Sequence, residues 1–371
     1  MNIITALEHR DRVDGIQVFY VHGSPWEKLL AAMQEPFPEL RYLLLLFFNK
    51  TVEVISDSFL GRSAPRLVFL QLSGLPFPGF PKLLLSTTHL FNLVLTKTPH
   101  FGYISLEAMA TALSTLTSLE SLSLEFVSPR SHPDQASRRL PPTHSVLPVL
   151  RHFWFKGVCE YLDDLVAYLD APRLNDLSVT FFNDIEFQTP QFMQFIRRAP
   201  SLEPLETARV VFGDCAARVD FSSKTSDSIL LNTEISCRES DWQVSSLEQV
   251  CTLCLPLPST TEDLYICRDK HSGLYWQGNI ENALWLELLL PFATVKNLYL
   301  SQEFAPRIVP ALQELVGSRT MEVLPTLQNI FLEELQPSGP IQEGIGKFVA
   351  ARQLSGHSLT ISLWSSLIDN P

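Results

Sequence analysis

Residues 150–179 read LRHFWFKGVCEYLDDLVAYLDAPRLNDLSV, and the fold is decided by how this stretch repeats itself. Leu150, Phe153 and Phe155 follow the pattern apolar-x-x-apolar-x-apolar, and Leu174, Leu177 and Val179 restate it 24 residues later. Two apolar residues two apart point to one face of a short strand, while the residue three positions earlier lies in the turn that enters it. Between the two copies, residues 161–169 carry apolar side chains at helical spacing. Strand then helix at a period of roughly 20 to 29 residues is the signature of a leucine-rich repeat.

The same pattern recurs in both directions along the chain. Leu40/Leu43/Leu45, Leu67/Leu70/Leu72, Leu90/Leu93/Leu95 and Leu119/Leu122/Leu124 precede it, and Val295/Leu298/Leu300 and Leu327/Ile330/Leu332 follow. Val13/Ile16/Val18 makes an earlier copy, and Leu264 with Ile266 reads as the end of another strand. Helix-period segments fall between strands at 26–33, 106–116, 161–169, 192–198, 280–289, 308–316 and 341–351. Ser105 supplies an N-cap and Pro190 a first-turn proline at two of these starts. The expected fold class is α/β: one degenerate leucine-rich-repeat solenoid over residues 1–371, a horseshoe with a curved parallel sheet inside and helices outside.

Two stretches depart from the repeat. From 203 to 257 the pattern fades into extended runs at 209–212, 218–222 and 229–236, read as an irregular insertion with antiparallel strands. Residues 128–145, SPRSHPDQASRRLPPTHS, are proline-containing and basic and are expected to form an exposed loop, either a partner contact or a solvated insertion. The Asn or Cys that usually follows a repeat strand is mostly replaced, as in Ser73-Gly74-Leu75 and Lys156-Gly157-Val158.

Composition narrows function. The chain has 371 residues, 46% hydrophobic and only 18% charged, enough to bury a large core. Its net charge of −12 opposes a phosphate backbone, so no nucleic acid partner is expected. Residues 1–12 lack an apolar h-region, and the apolar runs at 42–48 and 286–292 are too short to span a bilayer; no membrane partner and an intracellular location, cytoplasmic or nuclear, are expected. Sixty leucines against 15 glycines argue for repeats rather than a phosphate-loop enzyme. Gly344-Ile345-Gly346-Lys347 lacks the spacing and hydroxyl of a phosphate loop.

Cys251-x-x-Cys254 followed by Cys267-x-x-x-His271 has the ligand spacing of a small zinc finger, but the intervening leucines and prolines read as packing, and buried thiols with no metal and no cofactor are expected. Asp163 with Asp164, and Glu333 with Glu334, offer themselves as acid pairs; adjacent residues on a helix diverge by about 100°, so Asp163 and Asp164 do not converge and are read as exposed helix charges, and no catalytic residue and no enzyme activity are expected. The residues best placed for function alternate with the inward leucines and line the concave sheet face. Tyr42, Phe69, Gln71, His152, Trp154, Lys156 and Asp176 belong to the first half of the chain, and Tyr265, Asn297, Tyr299, Phe331 and Glu333 to the second. Large aromatics among them suit a protein-binding surface.

Several segments resemble a known family: NIITALEHRDRV at 2–13, MQEPFPELRYL at 33–43, DSFLGRSAPRLVFLQLSGLPFPG at 57–79, FKGVCEYLDDLVAYLDAPRLNDLSVTFF at 155–182 and SDWQVSSLEQVC at 240–251. They look like the leucine-rich body of F-box-type proteins expanded in mushroom-forming fungi. The resemblance implies the substrate-recognition part of a Skp-cullin-F-box ubiquitin-ligase receptor, holding a protein substrate on its repeats. Residues 1–13 already read as repeat, so no F-box residue is carried over, and a Skp-type linker partner is expected only with an upstream F-box. The other reading is a leucine-rich scaffold, sensor or inhibitor unrelated to ubiquitination.

Overall fold

The computed structural model describes residues 3–19, 24–47, 54–76, 79–99, 104–127, 144–182, 187, 189–224, 228–254, 260–269, 280–315, 319, 321–333 and 339–364. Two compact units divide the chain: unit 1 is Met1–Phe182 with Gln194–Ser201, and unit 2 is Asn183–Met193 with Leu202–Pro371.

In unit 1 every pattern copy becomes a strand. β1 (Gly15–Phe19), β2 (Tyr42–Leu46), β3 (Phe69–Ser73), β4 (Asn92–Thr98), β5 (Ser121–Phe126), β7 (His152–Gly157) and β9 (Asp176–Phe182) lie side by side in chain order, all parallel. The register aligns Leu43, Leu70, Leu93, Leu122, Phe153 and Leu177 in one row and Leu45, Leu72, Leu95, Leu124, Phe155 and Val179 in the next. Both rows are buried. Short strands β6 (Ser145–Val146) and β8 (Leu169–Asp170) pair separately. Helices α1 (Ile3–Leu7), α2 (Ser24–Ala32), α3 (Phe80–Leu84), α4 (Leu106–Leu113) and α5 (Cys159–Val166) alternate with the strands. Ser105 caps α4, its Oγ accepting the Ala108 N–H at 3.3 Å. Tyr161 of α5 stacks on Phe155, centroids 6.2 Å apart, which places α5 on the leucine face.

One backbone device repeats. The carbonyl just before each strand accepts two N–H groups from the next repeat: Arg41 O from Val68 and Phe69, Val68 O from Phe91 and Asn92, Phe91 O from Glu120 and Ser121, Glu120 O from Arg151 and His152, and Arg151 O from Asn175 and Asp176. This satisfies the strand entrance and locks successive repeats together. At one strand exit, Gly74 takes the place of the missing polar residue: its φ is +72°, and a Cβ there would collide with the Phe47 carbonyl.

Unit 2 holds β10 (Thr207–Phe212), β11 (Ala217–Ser222), β12 (Ile229–Ser236), β13 (Asp263–Arg268), β14 (Asn297–Leu300), β15 (Asn329–Leu332) and β16 (Thr360–Leu363). β12, β11 and β10 are antiparallel neighbours, and from β10 onward β13, β14, β15 and β16 continue in parallel. The unit boundary falls within helix α6 (Pro190–Arg197). α7 (Ser240–Gln249) runs into a π-helical turn Val250–Cys254, and α8 (Asn282–Leu289), α9 (Ala305–Gln313) and α10 (Pro340–Leu354) complete the layer. Within residues 203–257, β10 is therefore a repeat strand in its own right, and the β11–β12 hairpin stands where a helix would follow. The doubled hydrogen bond persists, with Glu206 O, Glu262 O and Lys296 O each accepting two N–H groups from the next repeat. Phe212 packs against Trp285 and Phe304, which puts α8 on the core side.

Residues 128–143 lie outside the described residues; Ser145, at the end of that segment, is buried in β6 rather than exposed in a loop. Asp163, read as an exposed charge, is also buried, because α5 turns it toward the sheet. Gly344 lies inside α10, where a Cβ would strike Val309 and Gln313 of α9; it serves helix packing. Among the described residues, no helix is long and apolar enough to cross a membrane.

Candidate functional site

In both units the residues alternating with the buried leucines form a second sheet face. On unit 1 it has three rows. Tyr42, Phe69, Asn92, Ser121, His152 and Asp176 make the first, Leu44, Gln71, Val94, Ser123, Trp154 and Ser178 the second, and Glu125 and Lys156 belong to the third. Trp154 is 38% exposed and Tyr42 42%, high values for strand aromatics beside rows of fully buried leucines. Two polar pairs flank the indole: His152 Nδ1 lies 3.1 Å from Asp176 Oδ2, and Lys156 Nζ 3.6 Å from Glu125 Oε1. Ser123, in register with Trp154, is buried, and its Oγ has no hydrogen-bond partner among the described residues.

The unit 2 face is built differently. Arg209, Tyr265, Tyr299 and Phe331 occupy one row across β10, β13, β14 and β15. The Tyr265 and Tyr299 rings stack at 4.1 Å, Tyr299 and Phe331 at 4.4 Å, and the Arg209 guanidinium lies 5.3 Å over Tyr265. Stacked this way, the rings use their faces on one another and turn their edges outward. Trp364 packs edge-on against Tyr265 and Tyr299, 5.7 and 5.6 Å away, its indole N–H donating to Leu300 O. Tyr265, Tyr299 and Phe331 are consequently half-buried rather than open.

Polar ladders border the stack. Asn297 Nδ2 donates to Asp263 Oδ1, Asn329 Nδ2 to Asn297 Oδ1 at 2.7 Å, and Thr360 Oγ1 to Asn329 Oδ1. Glu262 bridges Lys224 and Lys296 at 2.8 and 2.5 Å, and these hydrogen bonds hold its carboxyl down to about 2. On the other side Arg218 joins Asp220 and Asp269, each at 3.1 Å, while Asn232 donates to Asp220. Burial pushes the Asp220 carboxyl up, against the opposing pull of Arg218. Glu333 accepts the Gln302 N–H at 3.0 Å.

Of the residues named from sequence, seven share the unit 1 face and five the unit 2 face. Arg209, Trp364 and the Asp263–Asn329 ladder were not named. Asn329 was open to discovery, since it precedes a leucine position as Asn297 does; Arg209 was not, because nothing in the pattern reveals that 207–212 runs parallel to β13.

The candidate zinc ligands do not form a described cluster. Cys251 is buried in the π-helical turn, Cys267 lies on the face that carries Tyr265, and His271 and the Cys254 side chain lie outside the described residues. Burial raises the Cys267 thiol to about 11, so without a metal it is protonated and a poor nucleophile at neutral pH. Among the described residues no group of three or more metal-ligating side chains occurs.

No protein-family model matches the chain, and no curated protein matches it. Among solved structures, it is similar to the leucine-rich repeat-containing protein LegL7 from Legionella pneumophila, with 14% identity over 93% of this chain and 99% of that one and a TM-score of 0.31. At that score the two backbones do not superpose, and the repeat architecture here stands on its own strand register and its repeated hydrogen bonds.

Proposed function

We propose that this chain is a protein-protein interaction module that holds its partner on the unit 1 sheet face around Trp154, and that it serves as the substrate-recognition part of a Skp-cullin-F-box type ubiquitin-ligase receptor. The observation that carries the binding reading is the 38% exposed indole of Trp154 at mid-strand. A large amphipathic ring with a rigid backbone beneath it is the side chain most often found at the centre of binding interfaces. The two flanking polar pairs, His152 with Asp176 and Lys156 with Glu125, give the surface a polar rim. The ubiquitin-ligase role rests on the resemblance of the repeat segments alone.

The test is affinity capture with quantitative mass spectrometry, comparing wild type, Trp154→Ala and Glu107→Lys on the outer helix α4. A substrate-type partner is retained by Glu107→Lys and lost with Trp154→Ala, a truncation expected to remove about 2 kcal/mol of binding. A partner lost only with Glu107→Lys places the interface on the helices and overturns the reading. Stoichiometric recovery of linker subunit and cullin with the bare 371-residue chain would overturn the expectation that recruitment needs a separate F-box.

A further inference from the structure

The two outer strands of the structure end their units differently. In β1 the core-side residues Ile16 and Val18 are buried, as in every strand beside it. In β16 the core-side residues are Ile361 and Leu363, in register with the fully buried Ile330 and Leu332, yet they are 39% and 63% exposed. Apolar side chains that the repeat places in the core are thus open to solvent at this edge.

Among the described residues, the outer backbone edge of β16 meets no strand. Thr360 N–H donates to Gln328 O at 2.8 Å and Trp364 N–H to Leu332 O at 3.0 Å. Alternate residues of a strand direct their polar groups to opposite sides, so the N–H and C=O of Ile361 and Leu363 point away from β15. An edge of this kind is usually guarded by a charge, a proline or a bulge. Thr360-Ile361-Ser362-Leu363 has none.

We infer that β16 is a dimerisation edge, at which a second copy of this chain pairs antiparallel about a two-fold axis through Ser362. With Ile361 and Leu363 supplying the outward backbone groups, Ile361 of one copy exchanges hydrogen bonds with Leu363 of the other, twice over. The two Ser362 residues then face each other as a non-hydrogen-bonded pair, and Thr360 meets Trp364. The pairing is self-complementary: apolar side chains meet on the core face, hydroxyls meet on the opposite face, and no charge is brought against its like. A foreign strand would need to match that alternation; the strand already matches itself. Each copy carries a net charge of −12, so long-range repulsion opposes association and added salt strengthens it.

Sedimentation of the full chain between about 1 and 100 μM, the range open to a small interface, is the first measurement. The mass is expected to rise from 41.9 kDa toward twice that value, more readily at high salt. Leu363→Lys, at an exposed position, is expected to weaken association about tenfold or more, and Phe19→Lys on β1 to leave it unchanged. Register is tested by oxidation in a Cys215→Ser background, which removes an exposed thiol. Ser362→Cys is expected to cross-link, because facing Cα atoms in such a pair lie about 4.5 Å apart, within disulfide reach. Thr360→Cys is expected not to. A constant 41.9 kDa at every concentration, or a dimer indifferent to Leu363→Lys, overturns the inference, as does equal cross-linking at 360 and 362. None of these readouts involves Trp154, so failure here leaves the partner-binding surface of unit 1 to its own test.

Discussion

Arg352 is fully buried in α10 and directs its guanidinium at main-chain oxygens, donating to Val323 O at 2.6 Å, Leu324 O at 3.1 Å and Pro325 O at 3.4 Å. Burial pulls its pKa down, yet an arginine keeps its proton at any ordinary pH. The side chain thus ties α10 to the turn that leads into β15. Arg352→Ala removes the side-chain donor from Val323 O and Pro325 O and leaves Leu324 O with the Leu327 N–H alone, and is expected to cost about 2 to 4 kcal/mol in a urea titration. Arg352→Lys, which cannot fork across several oxygens, is expected to recover only part of it. Glu262 gives a pH signature of known sign. Its carboxyl is held down to about 2 by Lys224 and Lys296, below the ordinary glutamate value, so its contribution is present above the unfolded range and is lost as pH falls toward 2. The stability gap between wild type and Glu262→Gln is therefore expected to close between pH 5 and pH 2, and to shrink with salt because the group is exposed to solvent. A gap unchanged across that window would mean the two lysines do not engage it in solution.

Strands succeed as elements here because each presents two leucine-type residues to a row that its neighbours extend. Leu122 and Leu177 both belong to that row, and both are buried. Replacing either by Ala is expected to destabilise the chain by about 2 to 5 kcal/mol, read from chemical denaturation; a loss under about 1 kcal/mol would mean the register is shifted. The repeat strands were legible in sequence for the same reason, since period-two alternation and the turn leucine are local features. The β10–β12 region was legible only in part. Three extended runs could be seen, but pairing direction depends on which backbone edges meet, and β10 proves to be a parallel partner of β13. Short helices such as α3 and α1 span five residues each and carry too little periodicity to be read.

At the scale of the whole molecule, a net charge of −12 makes any association of the proposed interaction module sensitive to salt. Lys156 is one of few cations on the unit 1 face, paired with Glu125. Reversing it with Lys156→Glu is expected to change the rate of partner association and its salt dependence, with a smaller effect on dissociation; surface plasmon resonance at two salt concentrations separates the two. Metal content is a second whole-molecule observable. Elemental analysis of the purified chain is expected to find well under one zinc per molecule, and a stoichiometric zinc lost in Cys251→Ser or Cys267→Ser would restore the finger-like reading.

By itself, the sequence determined the class of this protein: mixed α/β, with parallel strands at the positions of the leucine pattern, helices between them, and a row of alternating residues facing away from the core. Those conclusions are local, because a period of two or of 3.6 residues is written in neighbouring positions. Tertiary structure alone decided how each face is used. Four aromatics that look equivalent in sequence separate into an exposed Trp154 and a self-stacked Tyr265–Tyr299–Phe331 ladder capped by Trp364. Ring stacking across strands and cover from a distant segment depend on register and on which residues arrive from elsewhere in the chain. The same holds for β16, whose apolar residues match the core pattern while its outer edge meets no strand among the described residues. A pattern states which side chains prefer burial; only the packed neighbours decide whether burial is achieved.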